Sequence, residues 1–235
     1  MPVVSRAYMT ACMLIAVAVA VDAVSPFSLY FNWKLISSGG ELWRVASSFL
    51  YFGPIGLQFA LQMYFLVHYS RALEEHSFRG RTADYVWCLT VCAALIVAGG
   101  RLVGAAFLGG PLLFAMVYVW ARRSPGVHVH VLGLLPCRAP RLPWVMLGLS
   151  AAAGGSPVAC ALGIAAGHVY WYAADVWPAL AAARGWRRRQ LLATPSLLRL
   201  VCGGGAPAVL APLPAAAGAP GRPGGGVADV AGHEP

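Results

Sequence analysis

"LGIAAGHVYWYAADVWP", residues 162–178, is the stretch on which the reading of this chain turns. It is apolar, yet it carries His168 and Asp175. Gly163 and Gly167 stand four apart, so they share one helix face. Without side chains they let a neighbouring helix approach closely, an association driven by packing between apolar helices. The expected neighbour is the segment that offers Gly104, Ala105 and the pair Gly109–Gly110. His168 follows the second glycine. A polar ring inside an apolar segment needs a hydrogen-bond partner, and Tyr118, Tyr170 or Tyr172 would supply one to a neutral histidine.

The same character extends over most of the chain. Of its 235 residues 59% are hydrophobic and 11% charged, against about 25% charged in soluble domains. Mean hydropathy is +0.68. One water-soluble core does not hide so much apolar surface, so the composition predicts an all-α polytopic membrane protein. The net charge of +9 lies at the ends of apolar runs. Membrane orientation explains it better than nucleic acid, because no basic stretch is interleaved with stacking aromatics.

Six apolar segments emerge, at about 7–24, 49–68, 84–98, 102–120, 142–153 and 158–177. The third and fifth are short against the roughly 20 residues that span a bilayer, and read as tilted or partly re-entrant. The first follows Arg6 and resembles a signal peptide, but no clean small-residue cleavage site follows it, so it is read as a helix. With the N-terminus cytosolic, Arg6, Arg71, Arg79, Arg81, Arg122, Arg123, Arg138, Arg141, Arg184, Arg187, Arg188, Arg189, Arg199 and Arg222 fall on the cytosolic side. Only Lys34, Arg44 and Arg101 fall opposite. The asymmetry predicts six spans with both termini cytosolic. The membrane domain is expected over residues 1–180, a basic juxtamembrane segment on the lipid surface over 181–202, and a disordered Gly/Ala/Pro tail over 203–235.

Several polar groups stand out against this background. Trp43 suits a membrane interface, and the Arg44 fork holds backbone carbonyls or lipid phosphate. Gln58 and Gln62, four apart, need protein or water and point to a hydrated cavity. Glu74, Glu75, Arg79, Arg81 and Asp84 crowd into one short loop and predict a capped, salt-bridged turn. His128, His130 and Cys137 do not form a closed metal set, and exposed loop histidines are expected. The six cysteines contain no Cys-x-x-Cys pair and read as buried free thiols.

Eight blocks together carry a resemblance: "SRAYMTAC" (5–12), "SPFSLYFN" (25–32), "LWRVASSFLYFGPIG" (42–56), "LEEHSFRGRTADY" (73–85), "YVWARRSP" (118–125), "LPWVMLG" (142–148), "LGIAAGHVYWYAADVWP" and "TPSLL" (194–198). In this order and spacing the chain resembles the Derlin family, part of the rhomboid superfamily. "SFRGRTAD" is the most specific block. The resemblance implies a rhomboid-like bundle of six transmembrane helices in the endoplasmic reticulum membrane, with a Trp–Arg pair anchoring the lumenal loop. It also implies a lateral opening flanked by helices two and five; with Gln58 and Gln62 on helix two and short helices that would thin the bilayer locally, a substrate segment is expected to enter there. The function implied is the degradation of misfolded endoplasmic-reticulum proteins, with an E3 ubiquitin ligase and the valosin-containing-protein ATPase as partners, and no cofactor.

Rhomboid proteases place a G-x-S serine at the start of helix four and a histidine in helix six, as H-x-x-G-x-x-x-G. Residues 84–120 contain no serine, and Gly109 stands about where the nucleophile would be. The base position, three before Gly163, holds Cys160. His168 lies eight positions further on, about 12 Å along a helix, and does not replace it. The resemblance therefore implies a pseudoprotease. An active intramembrane protease and a small-molecule transporter are the rival readings, and the transporter lacks the expected internal symmetry. Three departures from the family stand out. The short segment that usually precedes "SRAY" is missing. Ala174 replaces an acidic residue before Asp175. The tail lacks the aromatic–glycine box that holds the ATPase, which puts direct recruitment in doubt.

Overall fold

The computed structural model describes residues 2–131, 135–184 and 192–202. The tail expected from residue 203 and residues 185–191 of the basic segment lie outside the described residues.

The chain opens with helix α1 (Val3–Ala20) and two short helices, α2 (Pro26–Leu29) and α3 (Trp33–Gly39). Helices α4 (Trp43–Leu50), α5 (Leu57–Ala72), α6 (Thr82–Val103) and α7 (Gly109–Arg123) follow. A hairpin of β1 (His128–Val131) and β2 (Leu135–Arg138) precedes α8 (Leu142–Ala152) and α9 (Pro157–Trp171). After a π turn at Tyr172–Val176 come α10 (Trp177–Ala183) and α11 (Ser196–Val201). By length and composition, α1 and α6 are each able to cross a membrane.

Several expected boundaries are corrected. The segment at 49–68 is two helices: α4 ends at Leu50, and α5 starts only at Leu57. Between them Pro54 removes a backbone donor and Gly53 adopts φ +104°. The third segment is longer than expected, because α6 runs 22 residues to Val103. Gly104, at φ +67°, stops it in the left-handed cap favoured by glycine. Leu102 accordingly belongs to α6, and α7 starts seven residues later than expected, at Gly109. The fifth segment is short, with 11 residues in α8, which is about 16 Å of helix.

The hairpin corrects the all-α expectation. His128 pairs with Arg138 and Val129 with Cys137. Side chains alternate along a strand, so Cys137 shares a face with Val129, while His128 and His130 point the other way and are exposed. Burial pushes the Cys137 thiol pKa up, keeping it protonated at neutral pH. The three potential metal ligands are thus separated by the register. Among the described residues no cluster of three His, Cys, Asp or Glu side chains is able to hold a metal.

The core sits around α7. All residues from Pro111 to Ala121 are buried, and α9, α6, α5, α8 and α4 pack on it. The helix α1 is different: its buried residues are Ser5, Cys12 and Ala16, and the remainder is partly or fully exposed.

Candidate functional site

Helices α7 and α9 pack tightly along their length. A Cβ on Gly163 would stand 2.1 Å from the Pro111 carbonyl oxygen and 2.9 Å from Phe114 Cβ. One on Gly167 would meet the Ala115 oxygen at 2.8 Å and Tyr118 Cβ at 3.0 Å. Carbon atoms do not approach backbone oxygen that closely, so only glycine permits this spacing. The partner segment is the expected one. Its contact residues are corrected: Pro111, Phe114, Ala115 and Tyr118 meet the glycines, not Gly104 or the glycine pair 109–110.

His168, one residue on, bonds through Nδ1 to the Tyr118 hydroxyl at 2.7 Å. Of the three tyrosines considered, Tyr118 supplies the partner. It also accepts a 2.8 Å bond from Arg122 Nε. The next residue, Arg123, is claimed internally: its guanidinium donates to both Asp175 oxygens at 2.8 and 2.9 Å. That bidentate pair ties the end of α7 to the π turn after α9, with the planar fork matched to the two carboxylate oxygens.

The two positions that the rhomboid resemblance would assign to a nucleophile and a base, Gly109 and Cys160, are both tightly packed. A Cβ on Gly109 would lie 2.8 Å from the Phe49 carbonyl oxygen and 3.0 Å from the Phe52 ring. A serine side chain has no room there. The neighbouring Leu108 N–H donates to the Ser48 carbonyl at 2.9 Å, which locks α4 against the start of α7. At the other position, Cys160 is 6% exposed, and its Sγ lies 3.5 Å from Ser150 Oγ. A hydroxyl beside a thiol offers no base to activate either group.

A clamp organises the loop end of the molecule. Arg44 is buried at the start of α4 and pairs with Glu41. Its Nη1 donates to the carbonyls of Phe27 and Ser28 at 2.9 and 3.0 Å, and the guanidinium lies over the Tyr30 ring. Ser47 donates to the Leu29 carbonyl at 3.3 Å. The carbonyls of α2 are thus collected by one planar cation and one hydroxyl. Trp43, beside it, is 59% exposed. Arg101 at the end of α6 stacks on Trp33 of α3.

At the opposite end, the charged loop forms something other than a simple ion-paired turn. Glu74 is buried and accepts from the Val4 and Ser5 amides at 3.2 and 2.9 Å and from Ser5 Oγ at 2.7 Å. It caps the N-terminus of α1, where unpaired amides favour an anion. Ser5 Oγ reaches Ser70 Oγ at 2.8 Å, and Ser70 reaches the Tyr85 hydroxyl at 2.7 Å. One buried chain of hydroxyls therefore joins α1, α5 and α6. Of the other loop residues, Glu75 pairs with Arg71 at 2.9 Å and Arg81 with Asp84 at 3.6 Å. Asp84 also accepts from Thr194 Oγ1 at 2.5 Å, anchoring the segment before α11. Arg79 is exposed and has no ion pair among the described residues.

Gln58 is exposed and Gln62 half-buried on α5. They occupy one face, as their spacing requires. Sequence reasoning missed the Ser5–Ser70–Tyr85–Glu74 chain and treated Arg122 and Arg123 only as topology charges. The signal that was present was the polarity of Ser5 and Ser70 inside apolar helices, each of which needs a partner.

This geometry can be set beside known proteins. Residues 1–196 match the Der1-like family. The chain belongs to that family. It is 39% identical over 210 residues to Derlin-2.1 of Zea mays and to Derlin-2 of Oryza sativa subsp. japonica, covering 85% of this chain and 82% of each relative. It is 36% identical over 206 residues to the probable derlin-2 homolog of Dictyostelium discoideum, covering 85% of this chain and 79% of that one. A Der1-like protein with helices this apolar is a membrane protein. The family match runs from the α1 cap through the Thr194 anchor, so it takes in every contact described above.

Proposed function

We propose that this chain is a non-catalytic component of endoplasmic-reticulum-associated degradation that assists the retrotranslocation of misfolded proteins. The observation that carries the reading, given membership in the Der1-like family, is the filling of both catalytic positions. The Phe49 carbonyl and Phe52 ring occupy the space a nucleophile would need at Gly109, and Cys160 stands where the base would be. The scaffold keeps the glycine contact of a rhomboid and does no peptide-bond chemistry.

On this reading six segments cross the endoplasmic reticulum membrane with both termini cytosolic. Two of the helices are short for a full crossing and, unlike α5 and α9, do not run on into a π turn. The helix α7 has 15 residues and α8 has 11, about 22 and 16 Å, against a hydrocarbon core of about 30 Å. A bilayer that thins to meet them lowers the barrier to moving polar chain across it. The face of α5 bearing Gln58 and Gln62 is where a substrate segment would find amide partners. Misfolded lumenal or membrane proteins are the cargo. An E3 ubiquitin ligase complex and the valosin-containing-protein ATPase act downstream.

Affinity purification of the full chain from native membranes in mild detergent tests this. Recovery of ubiquitin-ligase components is expected. Clean recovery of the chain with no ligase component would overturn it.

A further inference from the structure

Arg122 and Arg123 are adjacent, yet they meet different fates. Asp175 neutralises Arg123. Arg122 is exposed and has no carboxylate partner among the described residues. Its guanidinium is nonetheless fixed: it lies 5.1 Å from the centres of both the Tyr118 and Trp171 rings, and its Nε is held by the Tyr118 hydroxyl. An exposed arginine is ordinarily free to sample many rotamers. This one is pre-organised at the last turn of α7, with its terminal nitrogens unclaimed by any carboxylate among the described residues.

The second unsatisfied group is beside it. Tyr118 has one proton and already accepts from Arg122, so the arrangement that uses the Tyr118 proton has Tyr118 donating to His168 Nδ1. That leaves the His168 proton on Nε2. His168 is exposed, and its ring lies tilted against Trp171 with centroids 5.9 Å apart. A donor on a surface facing lipid must find an acceptor. The rest of that surface is apolar: Val158, Ala161, Ala165, Val169 and Tyr172 are all exposed along α9 and its C-terminal cap, at spacings of three and four that make one stripe.

We propose that Arg122 and His168 form a binding site for the phosphate of an anionic phospholipid, with an acyl chain lying along the exposed stripe of α9. The guanidinium supplies charge and donors for phosphate oxygens, and the imidazole N–H supplies a further donor. The position at the last turn of α7, where the π turn follows α9, suits the depth of lipid phosphates. The adjoining apolar stripe favours a lipid over free phosphate, and basic pockets between helices at a membrane surface are suited to anionic headgroups.

Native mass spectrometry of the full chain in mild detergent tests the site, with phosphatidic acid, phosphatidylcholine and inorganic phosphate as probes. The wild type is expected to retain phosphatidic acid in preference to phosphatidylcholine. Arg122→Gln should weaken phosphatidic acid retention about tenfold and His168→Leu about threefold, from the loss of one charge and one donor respectively. Phosphatidylcholine retention should not change. Unchanged phosphatidic acid retention in either folded variant would overturn the proposal, as would displacement of the lipid by millimolar inorganic phosphate. A measurement on the wild type needs no substitution: photo-crosslinking with a diazirine-bearing phosphatidic acid should label peptides covering 158–172. Labelling confined to other helices would contradict it.

Discussion

The helices α9 and α1 are attached to the same bundle in opposite ways. Against α7, α9 makes a continuous contact in which backbone oxygen touches glycine, and Gly163, Ile164, Ala166 and Gly167 are all buried. Along α1 only Ser5, Cys12 and Ala16 are buried, and its firmest bonds are polar and confined to one end: the Glu74 cap, the Ser5–Ser70 link and Tyr8 donating to the Phe49 carbonyl at 2.8 Å. Steric fit holds one helix over its length. A few hydrogen bonds hold the other by its first turns. The difference teaches where this membrane protein keeps rigidity and where it leaves room to move.

Substitutions that attack each attachment should separate the two. The largest effect is expected at the glycine contact. Gly163→Val places three carbons where the Pro111 oxygen already stands, and should destabilise the bundle by about 3 kcal/mol or more. Thermal unfolding in detergent, followed by loss of a monodisperse peak, checks it. A smaller effect is expected at the cap. Glu74→Ala strands two amides and a hydroxyl, and should weaken α1 docking by about 2 kcal/mol, with roughly thirtyfold faster alkylation of Cys12. Cys12 is 0% exposed in the docked state, so its labelling rate reports α1 directly. If labelling is unchanged, the hydroxyl chain does not hold the helix. The smallest effect is at the loop clamp. Arg44→Lys keeps the charge but loses the planar fork across two carbonyls, and should loosen residues 26–43 by about 1 kcal/mol without altering the bundle. Limited proteolysis within the loop reads this, with α1 and α9 undisturbed.

Much of this was legible in the residues. The spacing of Gly163 and Gly167 pointed to a close helix contact, and His168 to a tyrosine partner, because both follow from local geometry and the need to satisfy a polar atom in apolar surroundings. Arg44 was readable as a carbonyl clamp for the same reason. The helix limits around 49–57 and 98–109 were less so. Hydropathy runs continuously through "FLYFGPIGLQ" and "IVAGGRLVGAAFLGG", and only the backbone demands of Gly53, Pro54 and Gly104 mark the breaks. The "VHVHV" alternation at 127–131 was a period-2 strand signal that the helical context obscured. The Glu74–Ser5 contact spans 69 positions, and no local pattern reveals which distant amide a carboxylate will cap. The different fates of Arg122 and Arg123 likewise depend on Asp175 arriving from the turn after α9.

The central claim is that the chain assists dislocation without cutting its cargo. It is tested most directly by following the clearance of a misfolded endoplasmic-reticulum reporter in cells that lack the chain, complemented with wild type or Cys160→Ala. The account predicts slowed clearance without the chain, equal restoration by both forms, and no reporter fragments. Reporter fragments that depend on Cys160, or clearance indifferent to the chain, would contradict it.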